Sequence, residues 1–314
     1  MPQLKNTICD VPGIMVGHAQ DEEARTGCTV ILPNAPVIAS VDVRGLAPGT
    51  RELELLDPVR TIAQIHAILL TGGSAFGLES ATGVVQFLAE KNIGYDTGVI
   101  KVPLVPAAVI YDLAVGSALR WPDRAMGYLA ASQASSSDTS RGLVGAGTGA
   151  TVGKFAGQRC AMNGGLGTCS GVIDDSIVVG VLVVVNALGN VIDPRSNRTI
   201  AGARDPMTNE FIDPTLIISK PHSLSFAQLT NTTLAVVATN AQLNKAEAKR
   251  LAHMATSGIT RTTYPAHTPF DGDVVFAIST GEVPGCDLFR IGFLASELIA
   301  TAIVQAVLFT NKLQ

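Results

Sequence analysis

Hydrophobic residues fall along this chain in two patterns. Short apolar, β-branched runs are cut by Gly and Pro turns, and a few longer stretches carry helical spacing. Val16-Gly17-His18, Cys28 to Leu32 and Val37 to Arg44 read as strands in a turn-rich N-terminal region. Ser176 to Val185 is a near-continuous β-branched run, as a strand buried on both faces should be. It leads through Asn186-Ala187-Leu188-Gly189-Asn190 into Val191-Ile192-Asp193. Leu229 to Thr239 starts with small hydroxyl and amide side chains and runs into an apolar segment, the pattern of a buried strand beginning at the mouth of a fold. Asp271-Gly272-Asp273 opens a further strand, Val274 to Ile278.

Helical spacing follows Thr71-Gly72-Gly73-Ser74 as far as about Lys91. It returns after Asn244, an N-cap with Glu247 three residues on, and Gly258 is expected to close that helix. Ile291 to Phe309 is apolar enough to suggest a membrane span. Ser296, Glu297, Thr301 and Gln305 interrupt it, and no basic clusters flank it, so a buried core or interface helix is expected. Residues 194–231 are polar, with Pro206, Pro214 and Pro221, and read as a long mobile connector; residues 260–268 read as a loop.

Composition narrows the class. Of 314 residues, 47% are hydrophobic and only 15% charged, which implies a many-layered core, extensive subunit contacts, or both. A formal net charge of −4 with no basic run argues against nucleic-acid binding. The N-terminal residues have no signal-peptide character, and the five cysteines have no Cys-x-x-Cys pairing, so a cytoplasmic protein with reduced thiols and no zinc site is expected. The glycosylation-like triplets at Asn197 and Asn231 are then chance matches.

The candidate chemistry centres on Thr232. If the Asn231–Thr232 bond were cut, Thr232 would carry a hydroxyl nucleophile beside an α-amino group able to act as its base. An α-amine titrates near pH 7.7–8.0, suited to that role. The residues alone read more plainly as an ordinary strand start. Each other candidate has a similar double reading. Lys154, in the second Gly-rich region, is a solvated loop lysine or a cation that keeps the amine unprotonated. Asn186 is a hairpin asparagine or an oxyanion donor, and Tyr111 caps a strand or positions substrate. Gly72 and Gly73 make a tight turn or supply backbone donors to an oxyanion, their spacing matching neither a dinucleotide nor a P-loop motif. Asp271 and Asp273, two residues apart on one expected strand face, orient the amine, pair with Lys154 or grip a cationic substrate. A Ca²⁺ site from two carboxylates alone is thin, and no metal or cofactor is expected.

Several segments together carry a resemblance: Val16-Gly17-His18 with Ala24 to Val30, Val43-Arg44-Gly45, Thr71 to Leu78, Ala108-Val109-Ile110-Tyr111-Asp112, Asn231-Thr232-Thr233-Leu234, and Asp271-Gly272-Asp273. In this order and over nearly the whole length, the chain resembles the L-aminopeptidase/D-amidase–D-esterase family, which includes β-peptidyl aminopeptidases and the endo-type nylon-oligomer hydrolase. The resemblance implies an α+β fold, a four-layer αββα sandwich, made as one hydrolase domain over 1–314 and self-cleaved into 1–231 and 232–314. It implies Thr232 as nucleophile, with Lys154, Asn186, Tyr111, Asp271 and Asp273 lining the site, and a homotetramer of the cleaved units. The implied activity is that of an aminopeptidase or amidase on small peptides or amino-acid amides, through an acyl-threonine. The well-studied aminopeptidases have a serine nucleophile and Ser-x-Glu where this chain has Asp271-Gly272-Asp273. That departure leans toward the endo-acting nylon-hydrolase branch. Acyl transfer of the ornithine-acetyltransferase kind, and an uncleaved ligand-binding homologue using the Gly72-Gly73 loop, are the alternatives.

Overall fold

The computed structural model describes residues 4–219, 231–285 and 287–312. In chain order the elements that build it are strands β1 (Ile14–Asp21), β2 (Thr26–Pro33), β3 (Val37–Val43), β4 (Thr50–Arg51), β5 (Gln64–Ile65) and β6 (Ile68–Thr71), helix α1 (Ser80–Glu90), β7 (Ala107–Val109), helix α2 (Arg124–Ser132), β8 (Gly165–Ile173), β9 (Ile177–Asn186), β10 (Thr232–Ala241), helices α3 (Lys245–Ala255) and α4 (Ser257–Thr262), β11 (Val274–Val283) and helix α5 (Leu288–Asn311). One sheet has the order β1-β2-β6-β7-β4, the other β8-β9-β10-β11-β3-β5.

The continuous apolar runs are resolved by period-two alternation. In β9, Val179, Val181, Val183 and Val185 pack with Leu251, Ile291, Ile299 and Ile303 of the helices outside the six-stranded sheet. Leu182 and Val184 of the same strand point the other way, into a core shared with Ile14, Val16, Ile31 and Leu70 of the five-stranded sheet. A third core joins Val30, Leu32 and Leu69 on the outer face of that sheet to Val84, Leu88 and Met126 of α1 and α2. Three cores between four layers give the expected helix–sheet–sheet–helix sandwich. Fully burying one such aliphatic side chain contributes about 1.5–3 kcal/mol, and a one-residue slip would turn a whole strand inside out, so the register is strongly fixed.

Helix α5 is the apolar segment expected to be a core helix. It is long and apolar enough to cross a membrane, yet its stripe of Ile291, Ala295, Ile299, Ala302 and Ile303 is buried against the six-stranded sheet, while Phe289, Phe293 and Phe309 are exposed. Helix α3 begins as expected, with a reciprocal Asn244/Glu247 capping box. Its end differs from expectation: it stops at Ala255, and Gly258 lies inside α4. A Cβ on Gly258 would meet the Ser296 carbonyl at 2.4 Å, so this glycine serves a close helix crossing and not a helix end.

Two further expectations are corrected. Residues 260–262 belong to α4, and the polar 194–231 stretch contains a strand at Arg198–Ala201 and a short helix at Pro214–Ile218; its residues 220–230 lie outside the described residues. His18 pairs with the Thr29 and Asp138 side chains, at 2.9 and 3.2 Å.

Candidate active site

The site forms where the six-stranded sheet changes direction of pairing. Strand β10 is buried along all ten residues, antiparallel to β9 on one side and parallel to β11 on the other. The antiparallel register places Asn186 opposite Thr232. By the alternation that turns Val184 and Leu234 toward the second sheet, both of these side chains face the space between the sheets. The parallel register pairs Leu234 with Val274 and continues as a bridge between Asn231 and Asp271. Two segments 40 positions apart in sequence therefore enter the sheet side by side, and this alone brings Asp271-Gly272-Asp273 alongside Asn231-Thr232-Thr233.

Thr232 is 5% exposed. Its hydroxyl donates to the carbonyl of Asn231 at 2.5 Å, and the Gly272 N–H reaches the same oxygen at 2.9 Å. Asp273, just before β11, accepts from the Thr233 N–H on Oδ1 (2.5 Å) and faces His267 Nδ1 on Oδ2 (2.8 Å). Among the described residues, both hydrogen bonds to the Asp271 carboxylate go to Oδ2, from the Thr268 N–H at 2.7 Å and its hydroxyl at 2.6 Å. Both aspartates thus hold the same His267–Thr268 loop, Asp273 ties it to β10 as well, and both precede β11, which begins only at Val274, where a shared strand face was expected.

Lys154 approaches from the other side. It opens a single helical turn, Lys154–Ala156, anchored by Phe155 in a small core with Leu188 and Ala203. Its ammonium donates to the Asn186 carbonyl (2.9 Å) and to Asn186 Oδ1 (2.8 Å), and the Thr151 N–H reaches the same Oδ1 at 3.0 Å. Burial pushes the lysine down to about 7, against the opposing pull of the Asp271, Asp112 and Asp273 charges. Asp271 is held well above the ordinary carboxylate range by burial and by the Asp273 charge. Asp112, 1% exposed, is raised by burial to about 6. A lysine near neutrality and carboxylates that resist ionisation are what a buried cluster of opposite charges produces when its members are desolvated together.

The remaining expected residues are placed less directly. Tyr111 meets the site through its backbone, whose carbonyl accepts from Asn186 Nδ2 at 3.2 Å. That bond engages one of the two N–H hydrogens of the Asn186 amide. The Gly72 and Gly73 amides are committed within the fold, to the Gly27 carbonyl (2.8 Å) and to Asp112 Oδ1 (2.7 Å), and are not presented to Thr232. Among the described residues no cluster of three or more His, Cys, Asp or Glu is arranged to hold a metal.

The model of peptidase family S58 matches residues 6–313. The chain belongs to peptidase family S58. An uncharacterized aminopeptidase of Mycobacterium tuberculosis is 41% identical over 300 residues, covering 88% of this chain and 82% of its own. A 6-aminohexanoate-oligomer endohydrolase of Paenarthrobacter ureafaciens is 32% identical over 312 residues, covering 95% of this chain and 84% of its own. Among solved structures, the L-aminopeptidase D-Ala-esterase/amidase of Ochrobactrum anthropi, described as a variant of the Ntn hydrolase fold, superposes with a TM-score of 0.74 at 21% identity, over 97% of this chain and 86% of that one. This S58 member is thus a hydrolase with the fold of the Ntn-hydrolase aminopeptidases.

Three residues of this S58 chain join the site without having been singled out from sequence. His267 pairs with Asp273; Asp112 sits behind the Gly72-Gly73 turn and within the field of Lys154; Gly272 donates to Asn231. Asp112 stood inside a quoted motif, but its carboxylate is identified only by the buried contacts to Gly73 and Thr26 Oγ1 (2.8 Å).

Proposed function

We propose that this chain is an N-terminal-threonine amidohydrolase that cuts its own Asn231–Thr232 bond and then hydrolyses peptide-like amides through an acyl-threonine ester. One observation carries the reading: the Thr232 hydroxyl lies 2.5 Å from the carbonyl oxygen of the bond to be cut, with carboxylates, a buried lysine and an asparagine arranged around it. An unassisted threonine hydroxyl is a poor nucleophile, and in the cut chain the freed α-amine takes its proton. Lys154 keeps that amine deprotonated at neutral pH by placing a second, partly protonated nitrogen nearby. Asn186 ties Lys154 to the strand that faces Thr232, so lysine and nucleophile are fixed through one residue.

The test is intact-mass spectrometry of the purified protein. A cut chain gives fragments of roughly 24 and 9 kDa, in proportion to length, from a 32.5 kDa precursor. A protein that stays whole while hydrolysing amides would remove the N-terminal nucleophile from the mechanism.

The substrate divides into two readings. Aminopeptidase action on small peptides or amino-acid amides requires a carboxylate to receive the substrate ammonium. Endo-type action does not. The second is favoured because both Asp273 oxygens already have partners inside the chain and burial disfavours a charge on Asp271. We also propose a homotetramer, supported by the exposed phenylalanines of α5 and the high apolar content; a monomer mass by light scattering at micromolar concentration would refute it.

A further inference from the structure

We infer that the backbone N–H of Gly272 is the oxyanion donor for self-cleavage, and that position 272 is glycine to leave room for the attacking hydroxyl. The inference rests on the self-cleavage proposed above. When Thr232 Oγ bonds to the carbonyl carbon of Asn231, negative charge collects on the Asn231 oxygen. The Gly272 N–H already sits 2.9 Å from that oxygen, within the 2.7–3.1 Å at which such donors act. The C–N bond then breaks, and the proton of the hydroxyl ends on the departing Thr232 nitrogen. Water hydrolyses the resulting ester, leaving the Asn231 carboxyl group and restoring the Thr232 hydroxyl.

The donor is held from both sides. The Asp271 carbonyl accepts from the Ala47 N–H at 2.9 Å, and the Asp273 carbonyl from the Arg44 and Gly45 N–H groups at 3.0 and 3.2 Å. The Asp271 side chain is tied to Thr268, and that of Asp273 to Thr233. A donor fixed in this way needs no reorganisation as the charge develops.

The glycine has a separate reason. Its backbone is not in the left-handed region, so conformation does not demand glycine there. Space does: a Cβ at 272 would lie 2.9 Å from Thr232 Oγ1 and 2.8 Å from the Ala47 carbonyl. A larger residue would press on the nucleophile from the side of the donor.

The ladder bond between Gly272 and Asn231 would be expected of any parallel pair, so the test must remove the donor alone. Glycolic acid placed at position 272 by cell-free translation replaces the N–H with an ester oxygen and adds no atoms. Conversion of the full chain to fragments, followed by intact mass on the gel-filtered folded fraction, should slow by about 10²–10³-fold. The same replacement at the exposed Gly281 should leave the rate unchanged. Gly272→Ala, which keeps the N–H and adds the Cβ, should also cleave slowly, but faster than the ester chain. Unchanged cleavage of the ester chain, or an alanine variant slower than the ester, would overturn the donor role while leaving self-cleavage intact. A wild-type chain that never cleaves would remove the underlying proposal itself.

Discussion

Two glycine turns in this molecule look alike in sequence and act differently in the fold. Thr71-Gly72-Gly73-Ser74 and Asp271-Gly272-Asp273 each adjoin a strand end, and each lies against a buried carboxylate. At the first, both glycine amides are absorbed by the architecture: one donates to the Gly27 carbonyl, and the other donates to Asp112. At the second, the carboxylates are held by the His267–Thr268 loop and by β10, and the amide between them is aimed at a peptide carbonyl beside a hydroxyl. A glycine-rich turn supplies chemistry when its donors meet a reacting atom. Elsewhere the same donors hold the fold together.

The largest effect separates the turns outright. Thr232→Ala should leave one uncut 32.5 kDa chain with hydrolysis reduced by more than about 10³-fold, a loss of the size seen when a nucleophile is removed. Cleavage of that variant at the same bond would show that Thr232 is not the nucleophile. Next, Lys154→Met should lower kcat/KM by roughly 10–100-fold, as expected when a neighbour that tunes a catalytic base is lost. It should also move the ascending limb of the pH profile to higher pH, since losing a neighbouring positive charge favours the protonated amine. A limb that stays in place would free the amine from the influence of Lys154.

The same lysine has a stability signature. In the uncut Thr232→Ala chain its folded pKa of about 7 lies below the ordinary 10.5, so between those values the unfolded state binds the extra proton. Stability contributed by this residue should therefore rise as pH climbs from about 7 toward 10, and Lys154→Met should flatten the rise in urea melts taken across that window.

Gly73→Ala probes the architectural turn. Gly73 has φ of 77°, and a Cβ there would meet that of Trp121 at 2.6 Å. The change should cost at least about 1–2 kcal/mol, yet the molecules that fold should still cleave at Asn231. Blocked cleavage in a folded Gly73→Ala chain would erase the contrast between the turns. The smallest expected effect concerns substrate. Matched amides with and without an N-acetyl group should differ in kcat/KM by less than about tenfold, the minimum loss expected when a charge-assisted hydrogen bond to the ammonium is removed. A larger fall on acetylation would restore the aminopeptidase reading and require an ammonium site other than Asp273.

Much of the fold was legible in the sequence because strands and turns are local. The Ser176–Val185 and Leu229–Thr239 stretches read as buried strands, as the structure has them over 177–186 and 232–241, and the Asn244/Glu247 cap announced its helix. Which face of each strand met which layer depends on partners far away in sequence, so the assignment of alternate valines to two different cores was not visible. Thr232 was a candidate from its place at a strand start, but it took the resemblance to favour that reading over an ordinary strand, and Lys154 and Asn186, which alone read as a loop and a turn residue, gained site roles the same way. His267 had no local signal at all, and Gly272 stood inside the quoted Asp271-Gly272-Asp273 motif with no role of its own. Their roles exist only because β10 and β11 pair in parallel at one particular register. Gly258 illustrates the opposite error: a glycine read as a helix end is present for a contact with α5.

That parallel pairing has a consequence for the order of events in the life of the molecule. The bond proposed to be cut opens β10, in the middle of a sheet whose neighbouring strands come from both sides of it in sequence. Lys154 and Asn186 lie before the bond, Gly272 and Asp273 after it, and none of them reaches Thr232 until the sheet has closed. On the proposed self-cleavage, maturation would be conditional on correct folding: a nascent or misregistered chain would have no active nucleophile and would hydrolyse nothing. The two pieces would stay interleaved strand by strand after the cut, which would keep the new N-terminus where it was made. The peptide break would then work as a built-in inspection step, one that only a finished structure can pass.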